Sequence, residues 1–247
     1  MLFGLTTSAD AQGPARKEVF QQGEELVYRV KYGFLKLGTV VIQTSSANDQ
    51  RVQARLRFWT ADVPLLHTRS TVTDEIDARS LNLMRFQEHS ENGDVVTNKE
   101  MTYDPAKRTL NYSDDQVKNR ITTDIRPFND ALCLLFNMRA WSGAGGKAYT
   151  FPLRGKDGEK RVTVTFTNEF SNETVPALED KEVRTRVLQG RAEMGASSPL
   201  GADGAFTAYV SDDAAAVPVR IDMSIAVGSI SLVLDHIKRT NWIAASR

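Results

Sequence analysis

From position 217 to 225 every odd-numbered residue is apolar (Val217, Val219, Ile221, Met223, Ile225), while Pro218, Arg220, Asp222 and Ser224 stand between them. Strand side chains point alternately to two faces, so this period predicts a strand with one dry side and one wet side. The same alternation recurs over 26–32, 52–58, 71–77, 84–90, 95–103, 109–112, 149–153, 162–166, 181–189, 206–210 and 230–234. Over 37–44 the run Val40-Val41-Ile42 is continuous, which predicts burial on both faces. The dipeptide Asn92-Gly93 supplies the positive φ angles of a tight hairpin, and Asp104-Pro105 opens the next turn. One segment has a different period. Phe128, Leu132, Leu135, Phe136 and Arg139 recur at spacings of three or four, with Pro127 and Asn129 before them and Gly143 after, and predict a helix over 128–140. Residues 62–67 break the period and read as a short turn or loop.

Roughly a dozen strands in one antiparallel sheet cannot stay flat, because strand twist accumulates until the sheet curls, splits or closes. The predicted architecture is therefore mainly β: a strongly curved antiparallel sheet or open barrel, with one mid-chain α-helix packed on its concave side. A gap between sheet and helix would take an apolar ligand. Its candidate lining is Phe58, Trp59, Leu66, Phe86, Tyr103, Phe128, Leu132, Phe136 and Trp141. The alternative is that these side chains fill the space completely, since most large aromatics of such a protein are core.

Composition narrows the function without naming it. The 247 residues are 41% hydrophobic and 25% charged, an ordinary globular balance. Lysine plus arginine number 31 and aspartate plus glutamate 31, so no net field draws nucleic acid or an anionic membrane. The local clusters Arg51, Arg55, Arg57 and Arg184, Arg186, Arg191 read as solvated strand faces. No run approaches the roughly 18 apolar residues of a membrane-spanning helix. Residues 1–19 read as a signal-peptide remnant and disordered N-terminus. Met1 to Leu5 is apolar and Ala9-Asp10-Ala11 has the small-x-small form of a cleavage site, the signal itself beginning upstream. The other reading is the disordered start of a cytosolic protein. Residues 20–247, without linker-like composition, are expected to form a single β-rich domain.

No catalytic constellation sits on this frame. Gly145-Gly146-Lys147 lacks both the first glycine and the Ser or Thr of a phosphate loop. His67, His89 and His236 have no metal-ligand spacing and Cys133 has no partner cysteine, so neither a metal nor a cofactor is expected. His236 falls with Leu232 and Leu234 and reads as a core histidine. There is no Gly-x-Ser-x-Gly elbow. Ser211-Asp212-Asp213 reads as a turn that caps its own backbone, ahead of a calcium site.

Several ordered patterns together resemble a family of exported bacterial proteins, the domain of unknown function 3108 family. They are Gly23-Glu24-Glu25-Leu26-x-Tyr28, Tyr32-Gly33, Gly38, Asp130-Ala131-Leu132 running to Met138-Arg139, Tyr209-x-Ser211-Asp212-Asp213, Pro218-Val219 and Gly228-Ser229-Ile230. Cys133 departs from the family's usual helix. The resemblance implies an exported, periplasmic, all-β protein, and it implies no activity and no catalytic residues. The predicted layout is also similar, more loosely, to that of the periplasmic lipoprotein carriers. The leading expectation is a non-catalytic envelope protein holding a lipid or other apolar or amphipathic ligand. An envelope scaffold binding protein partners and a cell-wall or glycan hydrolase are the alternatives.

Overall fold

The computed structural model describes residues 16–61, 67–155, 158–192, 204–225, 227–242 and 244. A short helical turn, α1 (Arg16–Val19), leads into β1 (Glu25–Tyr32), β2 (Leu35–Ala47), β3 (Arg51–Thr60), β4 (Thr68–Asp77), β5 (Leu83–Asn92), β6 (Val95–Asp104), β7 (Thr109–Asp114) and β8 (Arg120–Thr122). Helix α2 (Ala131–Trp141) follows. Then come β9 (Lys147–Gly155), β10 (Gly158–Val175), β11 (Lys181–Ala192), β12 (Ala205–Ser211), β13 (Pro218–Ser224) and β14 (Ser229–Lys238).

All fourteen strands join one antiparallel sheet in the order β8-β7-β6-β5-β4-β3-β2-β1-β14-β13-β12-β11-β10-β9. Each half of the chain is a meander, and the halves meet where the first strand pairs with the last, Leu26 opposite Ile237 and Tyr28 opposite Leu234. The free edges are β8 and β9, and α2 with its lead-in lies between them in sequence. That lead-in closes much of the seam: Asn129 bridges to Leu153 of β9, and the Ile125 N–H donates to the Arg108 carbonyl at the β6–β7 turn. The result is an open barrel.

Hairpin alternation puts successive turns at opposite ends of this barrel, and α2 plugs one of them. Its Asn137 amide donates to the Leu81 carbonyl in the β4–β5 turn, and Arg139 donates to the Ala215 carbonyl in the β12–β13 turn. Eight residues of α2 are buried, from Leu132 to Arg139, because the helix meets sheet on several sides. The structure starts the helix at Ala131 rather than at 128. Asp130 is its N-cap and accepts from the Cys133 N–H at 2.8 Å, so Phe128 precedes the helix and packs edge-on against Tyr103.

Two irregularities reshape what the alternation predicts. A bulge in the β1–β14 pairing skips Asp235, so Leu234 and Ile237 face inward and His236 is exposed; the core placement of His236 is thereby corrected. A second bulge, after Phe166, bends the long β10–β11 hairpin. Beyond it, residues 170–186 fold back as an arm over the outer face of β13 and β14, where Val175 and Val183 are buried and Glu173 pairs with Arg220.

Candidate functional site

Burial along the concave face changes from one end of the barrel to the other. Near α2 that face is sealed: Val52 and Ala54 on β3, Ile76 and Asp74 on β4, Tyr103 and Met101 on β6, Val210 and Ala208 on β12, and Val219 on β13 are buried. Farther from the helix the same faces are half open, at Leu56, Phe58, Val72, Lys99, Phe206 and Ile221. On β1 and β2 the face stays buried up to Val30 and Val40. The helix thus fills the floor of a cup whose upper wall offers apolar side chains to solvent.

That upper wall is built by close backbone approaches. A β-carbon at Gly38 would collide with the Trp59 carbonyl and come within 3.1 Å of the Phe58 ring. A β-carbon at Gly190 would fall inside the Phe206 ring. Both phenyl rings therefore approach neighbouring glycine backbone closely, one on each half of the sheet. Across the cup the wall turns polar, where Lys99 pairs with Glu88 at 2.8 Å, Asp114 accepts from the Tyr112 hydroxyl, and Ser70 and Ser90 share the next row. One side of the cup is apolar and the other polar.

The sequence-derived lining divides between floor and wall. Tyr103, Phe128, Leu132 and Phe136 are buried core residues, Phe136 stacking on Phe20 at 5.0 Å. Trp141 is half-buried behind the helix against Tyr149. Phe58 stands on the half-open wall, whereas Phe86, partly exposed, lies level with the buried Asp74 and Met101. Trp59 points to the outer face near the mouth, opposite in register to Phe58, and Leu66 lies outside the described residues.

Two buried polar clusters escaped the sequence reading, because their members are assembled only in the fold. At the helix C-terminus Arg139 forks onto Glu24 at 2.8 and 2.9 Å, and Arg239 contacts the same carboxylate. Burial raises the Glu24 carboxyl, but Arg139 and Arg239 outweigh it and hold the group below its ordinary range. At the helix N-terminus the ligand atoms of Asp74, Asp130 and Cys133 lie within 4.8 Å of one another. Asp74 is 0% exposed, and neither of its oxygens has a donor when ionised. Burial and then the neighbouring Asp130 push its carboxyl well above the ordinary value. The Cys133 thiol is raised for the same reasons and stays protonated. Sealed beneath α2, Asp74 does not form a solvent-facing acid–base pair. The Ser211-Asp212-Asp213 turn caps itself as expected, Asp213 accepting from the Ala215 and Ala216 N–H groups.

Among solved structures, a β-barrel-like protein of the domain of unknown function DUF1849 from Brucella abortus is similar over 89% of this chain and 98% of its own, at 12% identity and a TM-score of 0.62. A putative exported protein with a YmcC-like fold from Bacteroides fragilis aligns over 89% and 97%, at 12% identity and a TM-score of 0.40. No curated protein matches the chain. Residues 27–235 match the family described as protein of unknown function, DUF3108, and the chain belongs to that family.

Proposed function

We propose that this chain is a non-catalytic protein of the cell envelope, exported to the periplasm, that binds an amphipathic molecule in the open half of its cup. The observation that carries the reading is the change in burial along one continuous face. The hydrocarbon part would lie against Leu56, Phe58, Phe206 and Ile221, and the polar part near Lys99 and Glu88. Export is supported by the small-x-small pattern at Ala9-Asp10-Ala11, and no helix among the described residues is long and apolar enough to cross a membrane.

Native mass spectrometry after gentle purification, with uptake of a fluorescent fatty-acid probe, tests the proposal. The native chain is expected to carry or take up one amphiphile. The double substitution Phe58→Asp, Ile221→Asp is expected to weaken probe binding about tenfold or more; both side chains pack partly on the core, so melting temperature should fall somewhat while the transition stays cooperative. A native chain that neither carries an amphiphile nor takes up the probe would sink the reading. A scaffold role through the sheet edges has less behind it. Edge strand β8 is three residues long, and β9 carries Pro152 and is bridged by Asn129.

A further inference from the structure

The rim around the open mouth is unlike the rest of the described surface. Of nine exposed large hydrophobic residues, seven lie at or beside it: Phe34, Leu35, Trp59, Val95, Val96, Met223 and Val227. The other two, Ile121 and Phe170, sit on edge strand β8 and on the folded-back arm. Phe34 is 91% exposed at the tip of the β1–β2 turn. Val95 follows the β5–β6 turn, and Val227 sits in the β13–β14 turn. In the sheet order these turns belong to the β5–β6, β1–β2 and β13–β14 hairpins, with Trp59 on β3 between the first two, and they point away from α2. Hairpin tips need no apolar side chains for their own folding, so a contiguous arc of them marks a contact surface.

Charge indicates what meets it. Lys36, Arg57 and Arg69 are exposed on the outer face behind this arc, and among the described residues none has an acidic partner within 4.0 Å. Arg69 is the register partner of Trp59 on β3 and of Glu91 on β5, with no ion pair to Glu91 within 4.0 Å, which places an indole beside its guanidinium. Lys31 faces Asp180 of the arm and is not counted. Glu91 and Asp94 are the acidic groups of the β5–β6 hairpin end. Apolar tips backed by unpaired cations and an interfacial indole suit the headgroup boundary of an anionic bilayer, where hydrocarbon takes the tips and phosphates take the cations. We propose that this rim docks onto an anionic lipid bilayer surface, with the mouth of the cup turned towards the lipid. The inference rests on the amphiphile-binding reading above and gives that site a source for its ligand.

Flotation with vesicles tests it. The probes are phosphatidylcholine alone and phosphatidylcholine with about 30% phosphatidylglycerol. The native protein is expected to float with the anionic vesicles and much less with the neutral ones, and rising salt should release it. Phe34→Asp with Val95→Asp should reduce binding about tenfold, as should Arg57→Glu with Arg69→Glu. All four positions are exposed, so both variants should keep the native melting temperature and fatty-acid uptake. Retained uptake with lost flotation separates the rim from the cup. Failure of the native protein to float, equal flotation of the variants, or a stable dimer that the tip substitutions dissociate without any vesicle binding would each overturn the proposal.

Discussion

Asp74 and Glu24 sit at opposite ends of the same helix, and their carboxyls are displaced in opposite directions. Asp74 is raised, first by burial and then by Asp130. Its contribution to folding is complete below the ordinary aspartate value and is lost as pH climbs through its folded pKa. Glu24 is lowered by Arg139 and Arg239 against the cost of burial, so its contribution is present above the ordinary glutamate value and fades as pH falls. Stability should therefore peak between these two limits. Asp74→Asn replaces a buried carboxyl that resists ionisation with a neutral amide and should stabilise the protein by about 1–3 kcal/mol at alkaline pH while flattening that limb. An identical pH dependence of urea stability in the two proteins would refute the raised Asp74 carboxyl. Arg139→Met leaves Glu24 buried with one cation fewer and should cost about 3–5 kcal/mol, and Glu24→Gln in the same chain should recover part of that loss. Neither cluster was legible in the sequence. Asp74 and Asp130 are joined through tertiary packing, and Arg139 resembles any polar residue on a helix until the β1 start and the β12–β13 turn close on it.

At the scale of elements, period-two alternation located nearly every strand, because one dry face is the condition for a sheet that wraps a core. It failed where the period breaks. The β14 bulge sends His236 outward although it stands two residues from Leu234. The bend after Phe166 turns one long hairpin into an arm, and sequence alternation carries no sign of the change in direction. The three-residue β8 is too short to show a period. The floor of the cup was legible as an apolar helix. The half-open wall was not, because Phe58 and Val52 follow the same alternation and only the reach of α2 distinguishes them. The close Phe206–Gly190 contact yields a prediction at this scale. Gly190→Val must displace the ring and should cost about 1–3 kcal/mol, with altered probe uptake because that wall is rebuilt. Unchanged melting and uptake would show that the ring has no such role.

For the whole molecule, the pairing that unites the two meanders is the one between the chain's ends. Leu234 and Tyr28 are register partners at the middle of the sheet, and both are buried. Leu234→Ala should cost about 2–5 kcal/mol in urea unfolding, and one transition followed by both far-ultraviolet and tryptophan signals would show that the halves unfold together. Two separated transitions would instead mean that each meander holds its own structure. Closing a contact across some two hundred residues also carries a larger entropic penalty than any hairpin in the chain, so refolding is expected on the slow side for its size.

The position of β14 has a further consequence for biogenesis. Until β14 has been made, β1 lacks one neighbour and bares a row of peptide groups at what will become the centre of the molecule. A nascent chain of this design stays unfinished, and open to capture by chaperones, until its fourteenth strand is available.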